Sequence, residues 1–149
     1  MMKRLTLAIL SAAALTVAGA GSLIAQNNPI AQRQTLLKEF GAVSREPGQM
    51  LRREAAFDLA KVKTALETYS RHAKVLPILF PAGSFTGETA ALPKIDESRA
   101  DFVATFGRLD QAATAALASI TDEATFRANM GNVLRVCGQC HDTYRRPRT

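Results

Sequence analysis

Apolar side chains recur at helical spacing along four stretches of the chain. From about Pro29 to Ser44, Leu36, Phe40 and Val43 form one stripe, with Ile30, Arg33 and Leu37 running beside it. Pro47-Gly48 reads as a stop signal. A second helix is predicted from about Gln49 to Lys74. Its seam is Leu59, Val62, Leu66, Tyr69, Ala73 and Leu76, the alternating three-and-four spacing of a bundle. Pro77 and Pro81 end it, and the Gly-, Ser-, Thr- and Pro-bearing stretch 83–93 reads as a loop. A third helix is predicted from Lys94 to about Ser119, with Phe102, Phe106, Leu109, Ala113, Leu117 and Ile120 on one face. Thr121 is the expected N-cap of a fourth, with Asp122 and Glu123 in its first turn to complement the helix dipole. Phe126, Met130, Val133, Cys137, Cys140 and Tyr144 share one face of that helix. Arg145 and Arg146 fall in its expected last turn, and Pro147 stops it. The fold class that follows is all-α, an antiparallel four-helix bundle. Many seam positions are Ala, which leaves room inside for something other than side chains.

The first 25 residues do not belong to that pattern. Met1-Met2-Lys3-Arg4 is a short basic start, and an uncharged Ala/Leu-rich run follows from Leu5. Small residues then appear at Ala18–Ala20 and at Ala25. This is the layout of a secretory signal peptide, residues 1–25, with cleavage expected after Ala25 and Ala20 as the rival site. An uncleaved anchor is the other reading, since the run is just long enough to span a bilayer. The bundle then occupies 26–149, and the expected location is the periplasm.

Charge narrows the partners. The whole chain carries 19 Lys and Arg against 13 Asp and Glu. Loss of Lys3 and Arg4 leaves 17 basic residues and a net charge of +4. The densest basic cluster is Arg145, Arg146 and Arg148, which reads as a solvated end. Basic and aromatic residues are not interleaved, so no nucleic-acid partner is expected. Two Cys cannot build the disulfide framework of a small secreted scaffold, and with only two His they do not suggest a structural zinc site.

The chemistry lies in Cys137-Gly138-Gln139-Cys140-His141. Two Cys three apart on a helix face the same side. Both can therefore form thioethers with the two vinyl groups of one haem, and His141 then supplies the axial ligand to iron. The alternatives are weaker. A redox CxxC normally opens a helix after a strand, and no strand pattern is present. A disulfide within one helical turn is sterically poor. One covalent haem c is the expected cofactor.

With this motif near the C-terminus of an exported four-helix chain, residues from about 28 to 146 resemble the cytochromes c′, the class II c-type cytochromes. The resemblance rests also on Arg33 and Leu37, on the run Leu76-Pro77-Ile78-Leu79-Phe80-Pro81, and on His141-Asp142-Thr143-Tyr144-Arg145. It implies Leu37 over the distal face of the haem, where Leu cannot ligate iron, and hence a five-coordinate, high-spin site open to NO and CO. It places Arg145 near the proximal face, where NO could finish after release of His141. It offers Arg33 as a partner of a haem propionate, and it implies a two-fold dimer through the first two helices. Ile95-Asp96 stand where a Trp is common in the family, and Pro47 falls where the first helix often continues. Met50 and Met130 are read as packing, and His72 as a surface residue. The pocket is expected to be dry and apolar, with no His or Arg beside Leu37 for peroxidase-like chemistry, so no enzyme activity is expected. The alternative is a low-spin, six-coordinate periplasmic electron carrier working with redox partner proteins.

Overall fold

In the computed structural model, which describes residues 28–147, four long helices and one short one account for most of the chain. They are α1 (Pro29–Leu51), α2 (Leu59–Val75), α3 (Lys94–Glu97), α4 (Arg99–Ser119) and α5 (Glu123–Tyr144), with a 3-10 turn at Leu76–Leu79. The expected signal peptide and its cleavage sites lie outside the described residues, as does Arg148. No described helix is long and apolar enough to cross a membrane.

Short polar side chains start three of the helices. Asn28 accepts from the Ala31 amide, and Asp58 from the Lys61 amide, each at 3.1 Å. Pro29 adds a preset φ to the first turn of α1. The N-cap of α5 is Asp122 rather than Thr121. Asp122 accepts from the Thr125 amide at 2.8 Å, and Thr125 Oγ1 accepts from the Asp122 amide at 3.1 Å, which closes a reciprocal box. The Thr121 amide also donates to Thr125 Oγ1, at 3.1 Å, and Thr121 stands one residue outside the box.

The first two helix boundaries differ from the sequence pattern. α1 runs through Pro47 to Leu51, and Gln49–Leu51 belong to it rather than to α2. Proline forfeits one backbone hydrogen bond inside a helix. Here the burial of Pro47 and of Met50, 2% exposed, compensates for it. What ends α1 is Arg53 at φ 64. The Glu54 amide donates to Gln49 O at 2.9 Å and the Arg53 amide to Met50 O at 3.1 Å, the paired bonds of a Schellman motif. That motif usually uses Gly at the left-handed position, and here Arg holds it. The predicted third helix is likewise broken at Ser98, where α3 gives way to α4. Arg99 pairs with Asp96 across this break and donates to Phe80 O at 2.7 Å.

α2 packs on α1 and on α4, and α4 packs on α5. α1 and α5 scarcely touch. The predicted seams do form the core: Val62, Leu66, Tyr69, Phe102, Leu109, Phe126 and Met130 are all buried. Burying each such side chain contributes roughly 1.5–3 kcal/mol. Phe57 and Phe126 meet at 5.5 Å near one end, while Phe80, Phe102 and Tyr144 stack edge to face near the other. His72 is not a surface residue. It is 5% exposed, tilted against Phe40, with Nε2 2.6 Å from Glu39 Oε2 on α1. Its partner stands on another helix, 33 residues earlier.

Candidate functional site

The gap between α1 and α5 is a cavity of about 970 Å³. That is the upper end of the range for ligand pockets, about 300–1,000 Å³. α5 contributes Leu134, Cys137, Cys140, His141 and Tyr144 to its wall. α1 contributes Leu37, Phe40, Gly41, Ser44 and Gly48. Phe102, Phe106 and Leu109 of α4 form the apolar back, and Thr89–Ala91 of the long loop close one end. Gly41 has nothing within 4 Å of where a Cβ would stand, so this stretch of α1 is backed by space rather than by side chains.

The helical spacing brings both cysteines and His141 to the same cavity, as the motif requires. Both thiols are partly buried, and burial raises the pKa of each, that of Cys140 to about 11. A redox-active thiol sits in surroundings that lower its pKa. Burial in apolar walls does the opposite here, which favours thioether attachment over dithiol chemistry. Among the described residues no group of three His, Cys, Asp or Glu could hold a metal ion directly.

Among the described residues, His141 is the only His on the cavity wall, and no Met lines it. Met50 and Met130 are packed in the core, 2% and 0% exposed, and His72 is held by Glu39. Leu37 lines the cavity and is 37% exposed.

The wall is less uniformly apolar than the sequence suggested. Arg33, Ser44 and Tyr69 also line it. Their donors are turned away. Ser44 Oγ donates to Phe40 O at 2.5 Å, so the Tyr69 hydroxyl, 2.6 Å from Ser44 Oγ, is the donor of that pair. Burial pushes the Tyr69 phenol up to about 12, so it stays protonated. Arg33 is 1% exposed. Its two Nη atoms make four hydrogen bonds, to Leu79 O, Ser84 Oγ, Ser84 O and Thr89 Oγ1. A guanidinium has five N–H donors, so only Nε is left. The bidentate propionate contact expected of Arg33 would need an Nη hydrogen, and the loop holds all four. Sequence reading missed this because the loop acceptors lie 46 to 56 residues away.

Arg145 lies just beyond the helix rather than in its last turn. It is the C-cap of α5, in extended conformation, with its amide donating to His141 O at 3.2 Å. It faces Ala91 across a two-residue antiparallel bridge. Its side chain lines the cavity, and its Nε is buried without a hydrogen-bond acceptor in the protein. A buried donor of this kind calls for an acceptor brought by whatever fills the cavity. A haem, apolar over most of its face and carrying carboxylates at its rim, meets both demands of this site. Cys137 and Cys140 would hold it covalently and His141 would ligate its iron. The sequence also gave no sign of Lys38, Arg45 and Arg52, which line the mouth. Their spacing of seven along α1 is the signal that could have found them.

Comparison with known proteins agrees with this chemistry. A family profile described as cytochrome C′ matches residues 28–145. Cytochrome c′ of Rhodopseudomonas palustris is 47% identical over 140 residues, covering 93% of this chain and 96% of the relative. A solved structure of cytochrome c′ from Rhodopseudomonas palustris superimposes with a TM-score of 0.80 at 46% identity, covering 83% of this chain and 100% of that one. Cytochrome c-556 of Agrobacterium fabrum is 38% identical over 117 residues, 78% of this chain and 80% of the relative. The geometry and these relatives together show that the chain belongs to the cytochrome c′ family, a c-type haem protein whose cofactor is covalent haem c.

Proposed function

We propose that this protein is a periplasmic haem protein with a five-coordinate, high-spin iron that binds small neutral gases such as NO and CO. The observation that carries the reading is the composition of the cavity wall. Among the described residues it offers one His, His141, and no Met, while α1 presents Leu37. The bound haem supplies an iron that cycles between ferric and ferrous states and binds diatomic ligands. Everything else falls to the chain. With haem bound, Leu37 would stand on the side away from His141 and would put an apolar side chain in the path of an entering ligand. Phe40, Phe106 and Leu109 make the cavity wall apolar, which would disfavour anions relative to neutral gases. Ser44 and Tyr69 present lone pairs but no free hydrogen, so they offer no donor to a ligand. Neither hydroxyl has a free proton to give to a leaving oxygen, which supports reading the protein as a binder or carrier. Arg145 lines the same cavity as His141 and would stand on the side of the haem that His141 holds.

Replacing Leu37 by Ala tests this directly. CO affinity of the ferrous protein rises about tenfold, the scale of a small change in apolar contact. Unchanged affinity would mean that Leu37 does not guard the iron.

The mouth supports electron transfer as a second reading. Lys38 and Arg45 line it and are exposed, a surface suited to an acidic redox partner, while Arg52 beside them is paired with Glu54. A homodimer through α1 and α2 belongs to this proposal too, with Val75 and Ile78 exposed at the end of α2. Sedimentation at several concentrations reads it.

A further inference from the structure

The loop between α2 and α4 spans the two cavity walls that do not pack on each other. One anchor is on α1. Arg33 makes its four hydrogen bonds to Leu79, Ser84 and Thr89, and its guanidinium lies 4.5 Å from the centre of the Phe80 ring. Gln34 Nε2 adds a bond to Glu88 O at 2.6 Å. The other anchor is the end of α5. The Leu92 amide donates to Tyr144 O at 3.0 Å, and the Arg146 amide to Ala90 O at 2.8 Å. Thr89 joins the two anchors. Its Oγ1 accepts from Arg33 Nη2 at 2.9 Å and from the Ala91 amide at 3.2 Å, and Ala91 is the residue bridged to Arg145.

Arg145 has few other restraints. It lies past the last turn of α5, extended, with its Nε lacking a protein acceptor. Chain ends without such ties fray. A fully buried guanidinium facing neutral acceptors is also expensive to retain, and a helix position that only had to pack would hold an aliphatic side chain.

We propose that Arg33 is a positioning residue that acts through Thr89 and the loop to set where Arg145 stands beside His141. It is thus a link from the α1 wall to the α5 wall. The inference takes from the proposed function only that Arg145 stands on the His141 side of the haem.

The test is NMR on the reduced holoprotein under CO. That sample is diamagnetic whether the iron takes CO or carries a sixth ligand from the chain, and its optical spectrum reports separately which of the two holds. Thr89→Val keeps the shape and removes the hydroxyl. It speeds hydrogen exchange at the Leu92 and Arg146 amides about tenfold, the scale of one lost hydrogen bond. It also displaces the Arg145 Nε–H resonance. Thr89→Ser, which keeps the hydroxyl, leaves both as in the parent protein. Arg33→Lys behaves like Thr89→Val, because one ammonium cannot serve four acceptors. Amides in the middle of α2 exchange as before in every variant. The proposal is overturned if Thr89→Val leaves either the bridge amides or the Arg145 resonance unmoved, or if the Ser and Val variants behave alike.

Discussion

The α2–α4 side of this bundle and its α1–α5 side are built from similar helical patterns, yet one is filled and the other hollow. Between α2 and α4, which pack on each other, Val62, Ala65, Leu66, Ala113 and Ala116 are buried and none of them lines the cavity. Between α1 and α5, Gly41, Gly48, Ser44 and the two cysteines line open space. On the first side stability comes from protein packing itself. On the second, the cofactor is the packing. A substitution should therefore be read by the side it falls on: stability on the filled side, haem retention and ligand binding on the hollow one.

The largest expected effect is on the hollow side. Cys137→Ser combined with Cys140→Ser abolishes covalent haem, so a haem stain on a denaturing gel falls to background. Retained stain would break the assignment of the motif.

The next contrast pairs two leucines. Leu66, 0% exposed on α2, loses about 2–5 kcal/mol of stability on change to Ala. Its haem spectrum stays that of the parent. Leu37→Ala loses under about 1 kcal/mol, since Leu37 is already part exposed, and acts instead on ligand affinity. Denaturant unfolding measures both. Equal losses would erase the distinction between the two sides.

A smaller effect concerns pH where the two sides meet. Tyr144 Oη donates to Asp101 at 2.7 Å. That bond holds the Asp101 carboxyl below its ordinary range, while burial and the same bond push Tyr144 up to about 12. A depressed carboxyl stabilises the fold above its unfolded value, near pH 3.9. That stabilisation fades as pH falls through the lower folded value. A raised phenol stabilises below about pH 10 and loses its share as pH climbs towards the folded value. The bond thus contributes fully between roughly pH 4 and 10. Asp101→Asn flattens the acid limb of a melting-temperature profile, and an unchanged limb would show that the bond is not coupled to folding.

The smallest effect lies far from the haem. Arg53 sits at a left-handed φ that favours glycine. Arg53→Gly stabilises the fold by about 0.5–1 kcal/mol. A loss of stability would mean that Arg53 makes a compensating contact.

The two sides also differ in how far the sequence discloses them. The seams of α2, α4 and α5 are legible because burial there follows helical period. The CxxCH motif is legible because its spacing carries its chemistry. The end of α1 is not. Pro47 and Gly48 are local stop signals overridden by burial of Pro47 and Met50, and the actual stop is an arginine in a glycine's conformation. His72 was misplaced, and the loop partners of Arg33 were missed, for a related reason. Each is fixed by partners dozens of residues away, Ser84 and Thr89 for one and Glu39 for the other, and no period records such a pairing. Leu37 and the cysteines were placed on the cavity from sequence, but the polar wall of Ser44 and Tyr69 was not.

The central claim is that His141 is the only iron ligand the protein supplies. The most direct test is the visible spectrum of the reduced holoprotein before and after CO. The account predicts a broad, unsplit ferrous band that changes on adding CO. Sharp, split low-spin bands indifferent to CO would contradict it, by showing that a second side chain already holds the iron.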